Sequence, residues 1–155
     1  HHLGQAREDR PPRPQDNKTL MTGSSGFSIK NTKRQKIGRL PFSKAVARVL
    51  PGWEISLACV GRKTARRLNR SLRGKDYTPN VLSYKVGTRS GEIILCPEKA
   101  RQEAKEYAMA PQTFLFYLFL HGLLHIKGVG HGPAMDRLEK KLLKEFLPLY
   151  PPKTP

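Results

Sequence analysis

The spacing of hydrophobic and polar positions changes several times after residue 26. In some segments apolar residues recur every three or four positions, which predicts helices that bury one face. In others they alternate or form short runs, which predicts strands. Helices are predicted at 42–50, 62–72, 97–107, 111–127 and 133–147, and strands at 27–29, 54–60, 81–86 and 92–96. This order favours an α+β fold, in which helices cover a small mixed β-sheet.

The two ends of the chain differ in composition from its middle. Residues 1–26 are rich in proline, glycine, serine and charged residues, so they are predicted to be a disordered tag or leader. Residues 148–155 are predicted to be a proline-rich tail. The sequence therefore predicts one folded domain, at 27–147, with a core of modest size.

The chain is strongly basic. It has 29 lysines and arginines against 12 acidic residues, which gives a net charge of +17. Such an excess indicates a polyanionic partner, either nucleic acid or an anionic membrane surface. A basic surface that serves only solubility is the alternative.

Other features of the sequence bear on the cell compartment. No apolar segment typical of a secretory signal lies near the N-terminus. The longest apolar run, at 114–120, is too short to span a bilayer and is typical of a buried helix. Cys59 and Cys96 lack Cys-x-x-Cys spacing and each end an apolar segment, so buried free thiols are predicted rather than a disulfide or a zinc knuckle. We therefore predict a cytoplasmic protein without a membrane partner.

Three histidines are concentrated at 121–131, with the spacing H-x3-H-x2-G-x2-H. Residues four apart share one face of a helix, so His121 and His125 are placed to bind one ion. Gly128 permits the positive φ that ends a helix, after which the chain turns back and His131 supplies a third nitrogen. Three protein ligands leave a fourth position open, which is the arrangement of catalytic zinc. Zinc held in this way lowers the pKa of bound water to about 7.

The same spacing occurs in the metzincin peptidases, whose signature is H-E-x-x-H-x-x-G-x-x-H. The glutamate of that signature is the general base of the peptidase. In this chain the position is Gly122, which has no side chain. The sequence therefore keeps the predicted metal ligands and lacks the peptidase base.

Three segments together resemble the YbeY family of rRNA maturation factors. The histidine segment, HGLLHIKGVGH at 121–131, resembles the family pattern H-G-x-L-H-x-x-G-Y-D-H. Residues 68–84 resemble L-N-x-x-Y-R-x-x-D-x-x-T-D/N-V-L-S-F, and residues 91–95 resemble G-D-I-x-I. The order and spacing of the three segments agree, and the resemblance covers roughly 27–147. It implies the same α+β fold, with the metal site on a core helix and the turn that follows.

The resemblance implies a zinc-dependent, single-strand-specific endoribonuclease that acts in rRNA maturation and ribosome quality control, including small-subunit rRNA 3′-end processing. The implied partners are ribosomal RNA and the small ribosomal subunit or its proteins. One zinc ion per chain is expected, with His121, His125 and His131 as ligands. Catalytic roles are expected for His121 and for Arg73. The planar guanidinium of Arg73 suits a phosphate. The residues expected to bind RNA are Arg66, Arg70, Arg73 and Lys75.

The sequence departs from the family pattern at several positions. The Tyr-Asp pair before the third histidine is Val129-Gly130 here, so a carboxylate beside the predicted metal site is missing. Leu72 replaces an aromatic residue, Pro79 a threonine and Glu92 an aspartate. None of these changes removes a predicted ligand. The loss at position 130 puts in question the role of that carboxylate as a partner of the ligands or a proton acceptor.

Several polar residues near these motifs have more than one interpretation. Asp76 either orients Arg73 or caps its own turn. Asn69 is a candidate for a hydrogen bond at the end of its helix, and Asp136 for stabilising the start of the last helix. For the whole chain, the alternatives to a nuclease are a zinc metallopeptidase and a non-catalytic ribosome-assembly factor with a structural metal.

Overall fold

The computed structural model of the chain describes residues 20–21, 26–31, 35 and 37–147. Within these residues the main chain forms a five-stranded sheet and five α-helices. In chain order the elements are β1 (Leu20–Met21), β2 (Phe27–Asn31), α1 (Phe42–Val49), β3 (Glu54–Cys59), α2 (Arg62–Arg73), β4 (Val81–Gly87), β5 (Ser90–Leu95), α3 (Pro97–Glu103), a 3-10 turn (Ala104–Tyr107), α4 (Pro111–Lys127) and α5 (Pro133–Phe146).

The sheet is mixed, with the strand order β1-β2-β3-β5-β4. Strands β2, β3 and β5 run parallel, whereas β1 is antiparallel to β2 and β4 is antiparallel to β5. In register, Leu57 of β3 lies between Ile29 of β2 and Ile93 of β5. The predicted α+β class, a small mixed sheet covered by helices, is confirmed.

Helices cover both faces of the sheet. On one face, Ala65 and Leu72 of α2 pack against Leu82, Tyr84 and Ile94. On the other face a larger core joins α1, α4 and α5 to the inward residues of the central strands. Alternate residues of a strand point to opposite faces, so neighbouring positions of β4 and β5 serve different cores.

Helix α4 is the most deeply buried element of the larger core. Phe114, Phe116 and Phe119 on this helix have no exposed surface. A Cβ atom at Gly122 would lie 3.2 Å from Cδ1 of Ile93, and one at Gly91 would lie 2.9 Å from Cδ1 of Ile126. The two glycines therefore let α4 approach β5 more closely than larger residues would allow.

The end of α4 follows the sequence prediction. Gly128 adopts φ 103°, and its amide donates to the carbonyl of Leu124 at 3.1 Å. The amide of Val129 donates to the same carbonyl at 3.0 Å. This left-handed ending reverses the chain between α4 and α5.

The structure differs from the sequence prediction at several boundaries. The segment 97–107 is split into α3 and a 3-10 turn, which ends where Ala108 adopts φ 54°; 3-10 turns are frequent at helix ends. The hairpin turn is shorter than predicted, because Gly87 already pairs with Ser90. Leu20–Met21, inside the segment 1–26 predicted to lack order, pairs with β2. Residues 1–19 and 22–25 of the predicted leader, and the tail at 148–155, lie outside the described residues.

No single described helix is long and apolar enough to cross a bilayer. The segments Pro97–Tyr107 and Pro111–Lys127 pass this test as a pair by length and composition, but they are bent by 103°.

Candidate metal centre and its basic neighbour

The structure brings the three histidines together. His121 and His125 lie one turn apart on α4, and the reversal at Gly128 returns His131 towards them. The ring centre of His131 lies 5.3 Å from that of His121 and 5.6 Å from that of His125. His121 and His125 are half-buried and His131 is exposed, so the cluster opens to solvent.

The ring separations and the donor types fit a metal ion. Two imidazoles that share one tetrahedral zinc, with nitrogens at roughly 2.0–2.1 Å, have ring centres about 5 Å apart. Imidazole suits zinc and several other transition metals. Within the described part of the chain, however, no three His, Cys, Asp or Glu side chains converge closely enough to form a metal site as they stand. The assignment of His121, His125 and His131 as ligands therefore stays a prediction.

Glu139 supports the cluster from α5, and sequence reasoning missed it. Its Oε2 lies 2.5 Å from Nδ1 of His121, and its Oε1 accepts a 2.8 Å hydrogen bond from the hydroxyl of Tyr117. Glu139 is buried although it is a carboxylate. The signal in the sequence was its position: Glu139 lies four residues after buried Met135 and three before buried Leu142, on the inward face of α5.

His125 has a different partner. Its Nδ1 lies 3.3 Å from the hydroxyl oxygen of Ser83 on β4. Burial lowers the pKa of His125, and the nearby His121, His131 and Arg73 lower it further. A lowered pKa keeps the imidazole neutral, which is the form that binds a metal. In both α4 histidines Nδ1 faces a protein group, which leaves Nε2 available as a ligand.

Gly122 faces away from the histidine cluster. A side chain at this position would meet the Ile93 side chain of β5, because a Cβ there would lie 3.2 Å from Cδ1. The position that carries the general base in metzincins is thus directed into the core of this protein. This geometry agrees with the lack of a peptidase base in the sequence.

Arg73, the last residue of α2, lies near enough to His125 to influence its pKa. One terminal nitrogen of its guanidinium donates to Oδ1 of Asn69 and to the hydroxyl of Tyr77, both at 3.2 Å. Among the described residues no carboxylate forms an ion pair with Arg73. Its positive charge is therefore held in place by neutral groups and is not compensated.

Asp76 neither orients Arg73 nor simply caps its turn. Its Oδ1 accepts a 2.9 Å hydrogen bond from Nε of Arg66 and lies 3.5 Å from a guanidinium nitrogen of Arg70. The hydrogen bond and charge of Arg66 lower the pKa of Asp76. Arg66 and Arg70, both predicted to bind RNA, thus share one carboxylate. Lys75, predicted with them, is exposed in the turn after α2.

Asn69 is confirmed as a hydrogen-bonding residue at the end of α2. It is fully buried; its Nδ2 donates to the carbonyl of Tyr77 at 3.0 Å, and its backbone carbonyl accepts from the amide of Lys75 at 3.3 Å. Asn69 therefore fixes both the loop after α2 and, through its Oδ1, the guanidinium of Arg73.

The other residues singled out in the sequence take simple structural roles. Leu72 is buried in the smaller core, and Asp136 lies in the first turn of α5. Glu92 accepts hydrogen bonds from the hydroxyls of Tyr84 and Ser56. Tyr84 is one of the residues that pack against α2. A Cβ atom at Gly130 would meet no atom within 4 Å, so close packing against that atom does not explain the missing carboxylate. Cys59 and Cys96 are buried free thiols, as predicted.

Comparisons with known proteins agree on one family. The family model described as Endoribonuclease YbeY matches residues 25–146. An Endoribonuclease YbeY of Aromatoleum aromaticum is 31% identical over 131 residues, which cover 79% of this chain and 85% of that protein. One from Bdellovibrio bacteriovorus is 38% identical over 80 residues, covering 50% of this chain and 53% of that protein, so this match spans about half of its length.

A solved structure supports the fold. The solution structure of TM1509 from Thermotoga maritima has a TM-score of 0.58 and 21% identity, and the match covers 79% of this chain and 91% of that one. At this identity the likeness concerns the architecture. Since the family model matches most of the chain, the chain belongs to the YbeY family of endoribonucleases, enzymes that hydrolyse phosphodiester bonds.

Proposed function

We propose that this protein is a zinc-dependent, single-strand-specific endoribonuclease that acts in rRNA maturation, including small-subunit rRNA 3′-end processing and ribosome quality control. The observation that carries the proposal is the pairing of an open histidine cluster with an uncompensated arginine. The ring centres of His121 and His125 lie 5.3 Å and 5.6 Å from that of His131, and Arg73 at the end of α2 is close enough to contribute to the lowered pKa of His125. A metal and a guanidinium in the same region suit a substrate with a negatively charged reacting centre.

His121, His125 and His131 would hold the metal, which when bound supplies Lewis-acid charge stabilisation for phosphodiester hydrolysis. Glu139 and Ser83 would fix the two rings of α4 through Nδ1, so that each presents Nε2 to the same side. His121 is both a proposed ligand and the residue that carries the buried carboxylate contact. Its orientation therefore depends on α5 as well as on α4.

Arg73 would bind and orient the scissile phosphate. One of its terminal nitrogens is occupied by Asn69 and Tyr77, which leaves the rest of the planar fork for phosphate oxygens. Because Asn69 is itself anchored to the loop, the guanidinium is held before substrate arrives. A fixed donor costs little reorganisation when charge develops in the transition state.

A peptidase is the weaker alternative. Position 122 points into the core, so no base can be supplied from the place where metzincins carry one. Glu139, the carboxylate beside the cluster, is already engaged by His121 and Tyr117. Position 122 carries no side chain and Glu139 is occupied, so neither position supplies a base that activates water for attack on a peptide bond.

The proposed partners are ribosomal RNA and the small ribosomal subunit or its proteins, in the cytoplasm. Family membership and the net charge of +17 support this proposal. A basic protein binds RNA phosphates through counterion release. A non-catalytic assembly factor with a structural metal would show the same binding without cleavage.

Substrate choice tests the proposal. Purified protein, loaded with zinc, is incubated with labelled single-stranded RNA, duplex RNA and casein, with and without a chelator, and the bound metal is identified by mass spectrometry. His131→Ala is the matched variant, because His131 is exposed and its truncation spares the core. Chelator-sensitive cleavage of single-stranded RNA that His131→Ala abolishes is expected. Cleavage of casein, or RNA binding without cleavage, would contradict the proposal.

A further inference from the structure

A groove of about 610 Å³ lies next to Arg73, between α2, α3 and the loop that follows α2. We propose that it binds one nucleotide of a single-stranded RNA, with the base stacked on Tyr77. The inference rests on the proposed function and adds a subsite to it. The walls of the groove include Arg62, Arg66, Tyr77, Asn80, Lys99 and Gln102.

Tyr77 connects the groove to the candidate reaction site. Its side chain lines the groove and the residue is 50% exposed, while its hydroxyl accepts a hydrogen bond from Arg73. Its backbone carbonyl is held by buried Asn69 at 3.0 Å. An exposed aromatic ring fixed at both ends is a suitable platform for a base. A base stacked there would belong to a nucleotide next to the phosphate that Arg73 binds.

The charges of the groove wall are largely paired with one another. Arg66 bonds Asp76 at 2.9 Å, and Lys99 lies 3.4 Å from Glu103. Phosphate binding favours uncompensated cations, whereas a neutral base needs hydrogen-bonding groups and an apolar or aromatic surface. The groove therefore suits the base, and Arg73 suits the phosphate.

Two amide side chains are placed to meet the edge of a base. Nδ2 of Asn80 donates to Glu103 at 2.7 Å, and Oε1 of Gln102 accepts from Arg62 at 2.8 Å. Each amide thus uses one of its two ends, and the other ends provide an acceptor on Asn80 and a donor on Gln102. An acidic protein segment would need unpaired cations, whereas Arg66 and Lys99 are already paired with Asp76 and Glu103.

Fluorescence of a base analogue tests the subsite without cleavage. Short single-stranded RNAs carry 2-aminopurine at successive positions, and binding is measured in chelator. We expect one position to be quenched by stacking, and Tyr77→Ala to abolish that quenching and to weaken binding about 5- to 150-fold. Tyr77→Phe keeps the ring and should bind within about twofold of wild type. Tyr107→Ala, at a tyrosine 51% exposed elsewhere on the surface, is the control and should bind normally.

The outcomes separate this inference from the proposed function. If the protein cleaves RNA but Tyr77→Ala binds and quenches like wild type, the subsite is wrong and the nuclease assignment stands. If Tyr77→Phe is as weak as Tyr77→Ala, the hydroxyl contact with Arg73 matters and stacking is refuted. If polyglutamate binds and Tyr77→Ala weakens that binding equally, the groove is a binding site for acidic proteins and the proposed nucleotide subsite is wrong. Failure to bind or cleave any RNA refutes the proposed function itself.

Discussion

Glu139 of α5 lies with its Oε2 2.5 Å from Nδ1 of His121 on α4. The two residues belong to different helices, and the contact with the buried carboxylate fixes the orientation of the ring. Position 130, just before the third histidine, is a glycine and supplies no carboxylate. Glu139 supplies a carboxylate partner for one of the proposed ligands from another element.

Removing the charge of Glu139 should weaken metal binding. Outer carboxylate partners of ligating histidines typically contribute 10- to 100-fold in metal affinity, so Glu139→Gln should reduce zinc affinity by roughly that factor. The measurement is a competition titration against a chromophoric chelator. Glu145→Gln, at an exposed glutamate on the same helix, should bind zinc like wild type. Equal affinity in Glu139→Gln would show that the contact does not support a metal ligand.

Local patterns made the histidine cluster predictable, whereas long-range contacts hid its supporting residues. The i, i+4 spacing of His121 and His125 and the glycine turn are properties of one short segment, and the structure follows them. Glu139 and Ser83 reach the cluster from other elements, and no spacing in the sequence reports which helix or strand packs beside α4. A glutamate on the apolar face of a helix is the kind of local contradiction that marks such a residue.

In the fold as well, local patterns were predictable from the sequence and long-range contacts were not. Helix and strand periods predicted the order of the elements from β2 to α5 but not β1, and Gly128 predicted the end of α4. The pairing of Asp76 with Arg66 and Arg70 was not predicted, because Asp76 lies nearer in sequence to Arg73. The loop after α2 folds back along the helix, held by Asn69, and this places Asp76 beside the earlier turns.

The two cysteines should be slow to react. Both are buried, and burial together with the neighbouring Cys96 raises the pKa of Cys59 to about 12. Since the thiolate is the nucleophile, native protein at pH 8 should react with iodoacetamide at least about 100-fold more slowly than protein unfolded in guanidinium. Labelling followed by mass spectrometry measures both rates. Similar rates would contradict the buried, protonated state of these thiols.

Neutralising Asp76 should strengthen RNA binding. Asp76→Asn releases Arg66 and Arg70 from their shared carboxylate, so two more guanidinium groups can meet phosphates. We expect tighter binding of single-stranded RNA and a log–log salt dependence steeper by about 0.7 for each new contact. Anisotropy titrations over a range of salt concentrations measure both quantities.

Glu145→Gln is the matched control for this change. It also removes one negative charge and frees one arginine, Arg48, but between α1 and α5. If the basic face of α2 binds RNA, Asp76→Asn should increase RNA affinity and the salt dependence of binding more than Glu145→Gln does. Equal effects of the two variants would mean that only net charge matters.

Arg73→Ala should separate chemistry from metal binding. If Arg73 holds the scissile phosphate, cleavage should fall roughly 10²–10³-fold, the usual cost of one donor that stabilises developing charge. Zinc content should be unchanged in protein saturated with zinc, since Arg73 is not among the proposed ligands. Arg73→Lys should restore little, because a point charge cannot replace a planar fork held by Asn69 and Tyr77.

Single-turnover rates at saturating RNA and matched zinc occupancy distinguish this role from simple binding. Many basic residues share the attraction to RNA, so affinity should change less than rate in Arg73→Ala. Arg101→Ala, at an exposed arginine of α3, controls for the loss of one positive charge and should retain the wild-type rate. Equal rates in wild type and Arg73→Ala would remove Arg73 from the mechanism and leave the histidine cluster as the proposed reaction site.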